Sequence, residues 1–531
     1  MDPVIVVGAG PVGLTLSLAL AMQGVPSVVL DEGDGKEQPR PARTVVLRPD
    51  TAAMVERLGC STVRDEGARW SGWRSMRRKQ DVRQLSLGGD STPSPLHIPQ
   101  HALTRGLRTA VAHQRLIRLV ADSRLDALEQ DASGVSVHTM GPGATWWRGS
   151  HVVGCDGARS TVRKLLAIRF PGRTAVERHA VAALRTELPW PGEASLHRQP
   201  PWPAAGDEVT ARPLPDGVWR LDWLLAPRGE LVTPDALVAR VRNTLAGWCG
   251  ETPPYELLDT GVYTLHHRLA LSWRVDRAFL AGDAAHLLGA LGTQGLDEGL
   301  RDADNLAWKL AQAWHHGASE TLLDSYQAER RTAVAARLRA ADQSLPVLRG
   351  GSALRTYLPG AARGHDALLS DAHLGHGPLG APPVYAHSPL APEHAASQTL
   401  VGTEAGAPVA DARVTTPDGT SARLRDRLGR GQLLVVLVAP GTGVWDRRHW
   451  MTAGVMPRLA AAVTALPVRA ELLVTETYPG AAAHTVLLVR PDGHLVASFA
   501  GVRPAELYAA ADAARGGLPA AARSDRTADI N

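Results

Sequence analysis

The run VIVVGAGPVGLTLSLALAMQGVPSVVLDE, residues 4–32, decides the fold. Val4 to Val7 are β-branched without a break, the pattern of a strand buried on both faces of a parallel sheet. A helical stretch from about Pro11 to Gln23 follows, and Ser27 to Glu32 reads as a second buried strand. Strand, helix and strand within about thirty residues make a βαβ unit. Its turn, Gly8-Ala9-Gly10-Pro11-Val12-Gly13, is a GxGxxG. The first glycine permits the tight turn, the second lets a pyrophosphate approach the backbone, and the third allows close helix packing. Asp31 and Glu32 end the next strand, about twenty residues on, where a carboxylate accepts from ribose hydroxyls. The unit predicts a dinucleotide, either FAD or NAD.

A second stretch chooses between them. FLAGDAAH, Phe279 to His286, is an apolar strand that delivers Gly282 and Asp283 at its carboxyl end. A carboxylate there can hold the hydroxyls of a ribityl chain, which FAD has and NAD lacks. A third motif, Cys155-Asp156-Gly157-Ala158-Arg159-Ser160, follows the strand-like HVVG.

The rest of the composition narrows the class. At 531 residues, 44% of them hydrophobic, the chain can bury several cores, roughly two to four domains' worth. A formal charge of +4 from 57 basic and 53 acidic residues gives no ground for a nucleic-acid or acidic-lipid partner. Cys60, Cys155 and Cys249 lie far apart, without a CxxC or a zinc-like cluster, so neither a disulfide framework nor a metal site is expected and a reducing cytoplasm is the default. No run reaches the roughly 18 apolar residues of a membrane helix, and the first apolar segment lacks the basic leader of a signal peptide.

These motifs, GxGxxG, DG and GD in this order and at about this spacing, resemble those of the class A flavoprotein monooxygenases, the aromatic hydroxylase family. The resemblance runs through most of the first 345 residues. Further on, VLLVRPDGHLVASFAG is similar to the phenol hydroxylase and aromatic polyketide hydroxylase branch, whose last domain is thioredoxin-like. The implied fold is α/β: a Rossmann-like FAD-binding domain of the GR2 type, an inserted antiparallel-sheet substrate domain, and a C-terminal thioredoxin-like α/β domain. The expected boundaries are 1–70, 100–170 and 270–345 for the FAD-binding domain, and 71–99 with 171–269 for the substrate domain. Residues 346–405 read as a packed connection with weak periodicity, 406–515 as the thioredoxin-like domain, and 516–531 as a flexible tail. The last domain has no cysteine, so it cannot do dithiol chemistry.

The resemblance also implies roles. Gly8, Gly10, Pro11, Val12, Gly13, Asp31 and Glu32 would hold the adenosine diphosphate. Arg43 and Gln100 would lie beside the flavin, Asp156 of the DG motif near FAD and NADPH, and Gly282 and Asp283 at the ribityl chain. The implied chemistry is reduction of FAD by NADPH or NADH and transfer of one oxygen atom from O2 to an aromatic or polyketide-type small molecule. Hydroxylation in secondary metabolism leads; Baeyer–Villiger insertion, epoxidation, or a flavin dehydrogenase or oxidase without insertion stand beside it. A monomer or homodimer is expected.

In one loop the chain departs from this pattern. After GDAAH, relatives commonly carry two prolines and a GQGMN-like turn; here Gly289 and Ala290 replace the prolines and Asp297 the asparagine. Glycine and alanine widen the allowed backbone conformations. The amides of Gly295 and Leu296 would still aim a helix N-terminus at the flavin. Gln294 and Asp297 are the candidate catalytic residues, though an acid in a first helical turn is also an ordinary dipole partner. For substrate contact the candidates are Trp219 and Trp223, which share one strand face, together with His266 and Leu288.

Overall fold

The structure is a computed structural model and describes residues 2–36, 38–89, 92–203, 206–226, 232–317, 319–349, 361–392, 399–441 and 454–517. Residues 350–360 and 393–398 of the expected connection, and 518–531 of the expected tail, lie outside the described residues.

Val4–Val7 occupies the centre of a six-stranded sheet, and all four residues are buried. It pairs in parallel with Ser27–Leu30 on one side and His151–Gly154 on the other; Ile117–Val120 and Ala278–Leu280 extend the sheet outward, also in parallel. Only the short edge strand Arg274–Val275 runs antiparallel. Helix Pro11–Met22 lies between this sheet and helix Gly295–His316, buried along nearly its whole length, which is why its sequence is apolar all round. The three motifs meet because the strands that carry them, Val4–Val7, His151–Gly154 and Ala278–Leu280, are sheet neighbours with their carboxyl ends together.

Above that edge stands an eight-stranded sheet. Its strands, in spatial order, are His286–Leu287, Glu256–Leu269, Gly172–Arg185, Val218–Leu225, Glu208–Pro213, Glu193–Arg198, Gly72–Arg77 and Gln80–Ser86. The expected antiparallel pattern holds except for one parallel pair, Glu193–Arg198 with Gly72–Arg77. Two boundaries differ from expectation. His286–Leu287, just after the GD motif, is an edge strand of this sheet. Leu96–Pro99, expected in the substrate region, instead pairs with Thr44–Leu47 and Ala68–Arg69 in a separate three-stranded sheet.

Side-chain alternation gives the large sheet two unlike faces. Val209, Ala211, Trp219, Leu221, Trp223 and Leu225 form one core with Leu237, Val241 and Leu245 of helix Pro234–Cys249. The alternate residues of the same strands, Glu208, Thr210, Arg212, Arg220, Asp222 and Leu224, point the other way, into a cavity.

The connection is more ordered than its Gly- and Pro-rich sequence suggests. Ala361–Leu374 is a 14-residue helix, whose Leu369, Ala372 and Leu374 share a core with Trp70, Trp73, Ala290 and Leu291. Beyond it, a six-stranded mixed sheet centred on Leu433–Val438 carries helices Met456–Thr464 and Pro504–Ala514. This arrangement is consistent with the thioredoxin-like expectation. Its hairpin turn docks on the rest of the chain. Arg490 donates to both oxygens of Glu329 at 2.6 and 2.9 Å, and Lys309 reaches the same carboxylate at 2.7 Å.

Candidate functional site

The glycines of the first turn differ in what surrounds them. A Cβ built on Gly8, whose φ is +106°, would lie 2.5 Å from the Cys155 carbonyl oxygen, and one on Gly13 would lie 2.0 Å from the Gly8 carbonyl oxygen. Those two positions serve close packing. A Cβ on Gly10 meets nothing within 4 Å, because Gly10, Pro11 and Val12 face the open end of a cavity of about 770 Å³. Gly10 also caps helix Pro11–Met22 without any side-chain hydrogen bond. Across the cavity, Gln294 caps helix Gly295–His316 in the same bare way, and Gly295 and Leu296 line the wall. Two helix N-termini with unused amide donors therefore face one cavity, an arrangement suited to anionic groups.

Asp283 faces this cavity and is exposed there, although the enclosing walls strip part of its hydration and raise its pKa. Arg43 donates from Nε to Gln100 Oε1 at 2.9 Å, and the Gln100 amide donates to the Arg43 carbonyl at 2.9 Å, so the pair forms one braced section of the wall. Asp31 lies behind the turn. Its Oδ2 accepts from the Ala9 amide at 2.6 Å and its Oδ1 from the Gly33 amide at 2.9 Å, while Glu32 is exposed. Asp156 caps helix Thr161–Leu165 through Oδ2, which accepts from Thr161 and Val162 at 2.6 and 3.0 Å, and its Oδ1 is buried without a partner.

The GD turn is fixed from below by a residue that sequence reasoning passed over. Asp302, fully buried, accepts from the Gly282 amide at 3.0 Å, binds His286 Nε2 at 2.8 Å and accepts from Arg330 Nε at 2.8 Å. Arg163 ties the DG segment to the same turn, donating to the carbonyls of Ala284 and Ala158 at 2.8 and 2.9 Å. Asp302 stands between the core positions Leu300 and Ala303 of its helix, and its partners are 16 to 28 residues distant.

Several expected site residues are placed elsewhere. Asp297 is 2% exposed and does not line the cavity. Its Oδ1 accepts from the Arg48 amide at 2.9 Å and from the Thr51 hydroxyl, and its Oδ2 lies 3.1 Å from Arg301. It fastens the helix to the segment after strand Thr44–Leu47, which corrects the catalytic expectation. Gln294 does line the cavity, with its Nε2 donating to the Gly292 carbonyl at 3.2 Å. Trp219 and Trp223 are 4% and 0% exposed on the far face of the sheet, and Trp223 Nε1 donates to Thr244 at 3.0 Å. Strand register turned the tryptophans towards the helix and the charged residues between them towards the cavity. His266 accepts from the Ala175 amide at 3.1 Å and is likewise outside the cavity wall, whereas Leu288 is within it.

The inner cavity is strongly charged. His179 binds Asp222 at 2.7 Å and stacks on Tyr263, whose hydroxyl donates to the other Asp222 oxygen at 2.9 Å. Arg220 lies 2.9 Å from the same carboxylate. Burial opposes a charge on His179, but Asp222 and Glu177 outweigh it and lift its pKa to about 9. Glu177 accepts from Arg349 at 2.7 Å and from the Leu291 amide at 3.1 Å. Sequence analysis missed all of these. The available signal was alternation of charged residues on three neighbouring strands, in VERH, VTARP and VWRLDW.

A Rossmann-like sheet, an open glycine turn, a second bare helix N-terminus and an acid at the next strand end define a flavin dinucleotide-binding protein. The free space at Gly10 fits such a ligand. The chain belongs to the FAD-binding domain family, whose pattern matches residues 1–341. Among similar proteins, a 3-(3-hydroxy-phenyl)propionate/3-hydroxycinnamic acid hydroxylase of Paraburkholderia xenovorans (strain LB400) is 31% identical over 354 residues, covering 62% of this chain and 52% of the relative. A hydroxylase of the same name from Klebsiella pneumoniae (strain 342) is 30% identical over 341 residues, covering 62% and 59%. The chain thus spans only about half the length of the curated relatives it matches. Among solved structures, the flavin-dependent monooxygenase PieE, in complex with FAD and substrate, superposes with a TM-score of 0.72 at 21% identity, over 97% of this chain and 98% of that one. OxyS anhydrotetracycline hydroxylase from Streptomyces rimosus gives 0.65 at 25% identity, over 98% and 100%. No described helix is long and apolar enough to cross a membrane.

Proposed function

We propose that this protein is an FAD-dependent, NAD(P)H-using monooxygenase that inserts one oxygen atom from O2 into a large aromatic or polyketide-type molecule, most simply by hydroxylation in secondary metabolism. One observation carries the reading: a single cavity joins the two bare helix N-termini and Asp283 to a deep polar chamber under the large sheet. The first part has the donors for a flavin dinucleotide, and the second has room for a separate organic molecule. The hydroxylases named among the relatives support an aromatic substrate, and OxyS supports a polycyclic one. The free cysteines agree with a cytoplasmic setting.

When bound, FAD supplies the electron transfer and oxygen chemistry that no side chain here can perform. The chain's own residues do the positioning. Gly10 would leave room for the diphosphate, and Asp283 would accept from the hydroxyls of the chain that joins it to the flavin ring. The amides of Gly295 and Leu296 favour negative charge at the helix start. Tyr263 holds its proton towards Asp222 Oδ2, so the phenol is a fixed donor in the chamber wall.

The test is turnover of the FAD-loaded protein with NADPH under 18O2, using 3-(3-hydroxyphenyl)propionate and anhydrotetracycline as probes. One labelled oxygen atom per product molecule is the expected result. Stoichiometric hydrogen peroxide with no labelled product from either probe refutes oxygen insertion and leaves a flavin oxidase.

A further inference from the structure

We propose that the protein has a second ligand site, apart from the flavin cavity, which takes a small zwitterion with an apolar body: an α-amino acid with an aliphatic side chain.

The site is a cavity of about 370 Å³ where three parts of the chain meet. Helices Pro49–Arg57 and Gly295–His316 form one side, the segment after helix Ala361–Leu374 another, and the hairpin turn of the C-terminal sheet the third. None of its lining residues lines the flavin cavity. On the helix that the two spaces share, Asp304 follows Gly295 by about 14 Å along the axis. Much of the wall is apolar, with Met54, Leu374, Val409, Leu428, Pro382 and Pro383 facing the space. The volume suits a small organic molecule.

Arginines and aspartates line the cavity in equal number, four of each, so their charges cancel. Most of them are engaged. Arg301 has Asp50 at 3.0 Å, Arg425 has Asp411, Asp492 has Arg490 at 2.5 Å, and Arg48 donates to the carbonyls of Ala372 and His373. Arg57 and Asp304 are the exceptions: each feels the other's charge, yet among the described residues neither side chain forms an ion pair or a hydrogen bond. Burial weighs on both, pushing the Asp304 carboxyl up to about 6 and drawing the Arg57 guanidinium below its usual range. A cation and an anion that line one apolar space without meeting fit a molecule that carries both charges, its carboxylate at Arg57 and its ammonium at Asp304.

A third unmatched group favours the ammonium. His494 lines the same cavity and is 8% exposed; its Nδ1 lies 3.2 Å from Asp492, and its Nε2 is buried with no partner. With the Nδ1 proton turned to Asp492, Nε2 offers a lone pair close enough to Asp304 to affect its charge. An ammonium has donors for both acceptors. Tyr385, its ring centred 4.3 Å from that of His494, holds the imidazole in place. At the other end, Arg57 also lines an adjoining hollow of about 520 Å³, rimmed by the exposed Arg64 and Arg69, so the carboxylate end is the one nearer solvent.

Isothermal titration of FAD-loaded protein with L-leucine, 4-methylpentanoate and isopentylamine tests the inference; the second probe lacks only the ammonium and the third only the carboxylate. Wild type should bind L-leucine at one site, at least about tenfold tighter than either analogue. Arg57→Gln should bring L-leucine and isopentylamine within about twofold of each other, and Asp304→Asn should do the same for L-leucine and 4-methylpentanoate. No L-leucine binding up to its solubility, an analogue that binds as tightly as L-leucine, or an L-leucine affinity unchanged in either variant overturns the proposal. If Asp304→Asn fails to fold, Arg57→Gln decides, since it removes a side chain without contacts at the end of its helix. The titration involves no turnover, so its outcome is independent of the oxygenase reading.

Discussion

Alanine at Gly10 and at Gly13, three residues apart in one turn, should fail for opposite reasons. Gly10 has φ −74° and ψ 175°, a conformation open to any L-residue, and its Cβ would meet nothing within 4 Å. The apoprotein of Gly10→Ala should therefore be as stable as wild type, or more stable by about 0.4–1 kcal/mol through the loss of unfolded-chain freedom. The methyl group would stand where a diphosphate approaches the helix N-terminus, and FAD affinity should fall by about a hundredfold or more, roughly 2.7 kcal/mol. At Gly13 the new Cβ would lie 2.0 Å from the Gly8 carbonyl oxygen and 3.2 Å from Cys155 Cβ. Backbone on both sides would have to part by about 1 Å or more, in a helix packed against sheet and helix, at a cost of at least about 1–3 kcal/mol before any ligand is added. Urea denaturation of the two apoproteins, followed by FAD titration monitored by flavin fluorescence, separates the effects. A Gly10→Ala protein that binds FAD like wild type would show that the diphosphate does not lie against this turn. Unchanged apoprotein stability in Gly13→Ala would refute the packing argument.

Three further outcomes follow from the buried charges. Asp297→Asn should leave the pH dependence of flavin reduction unchanged, because the carboxylate is outside the cavity, while lowering the unfolding free energy measured by urea denaturation by about 1–3 kcal/mol through its contacts with Arg48, Thr51 and Arg301; a shifted pH profile would restore it to the chemistry. His179, with its pKa raised from 6.5 to about 9, stabilises the fold fully below pH 6.5 and loses that contribution as pH rises through 9. Up to about 3 kcal/mol should disappear over that window in denaturation curves, and a His179→Asn protein with the same pH slope would contradict the assignment. Glu329→Gln should leave Lys309 without its carboxylate and Arg490 held by Asp492 alone, at a cost of about 3–5 kcal/mol. Limited proteolysis should then cut between the C-terminal sheet and the remainder far faster than in wild type, and unchanged cleavage would show that the hairpin turn does not depend on this carboxylate.

How far the sequence could be read depended on how far apart the interacting residues stand. The βαβ fingerprint was legible because the first strand, the turn, the helix and the acid share about thirty residues, even though Gly8 is confined by Cys155, which follows a sheet-neighbouring strand much further along the chain. The tryptophans show the limit. Period-2 alternation put Trp219 and Trp223 on one face, correctly, but which face meets the cavity was set by helix Pro234–Cys249 packing over the other side. The assignment of Asp297 failed for the same reason, since its partners Arg48 and Thr51 are 249 and 246 residues away. Weak periodicity hid helix Ala361–Leu374, and with it His373 in the chamber wall.

The loop without prolines is where these long-range contacts matter most. Gly289 and Ala290 give the backbone freedom, yet the loop takes a demanding shape: Leu291 has φ +56°, which a side chain other than glycine's disfavours. Three contacts from elsewhere impose it. The Leu291 amide donates to Glu177 at 3.1 Å, the Leu291 side chain is 1% exposed in the core with Trp70 and Trp73, and a Cβ on Gly292 would stand 2.7 Å from the His373 ring. Rigidity that proline would supply locally is here supplied by the chamber wall. Glu177 and His373 both line that chamber, so its wall and the loop leading to Gly295 and Leu296 share these two side chains. In this chain the chamber wall and the loop before the helix start are joined through direct contacts, where a proline pair is absent.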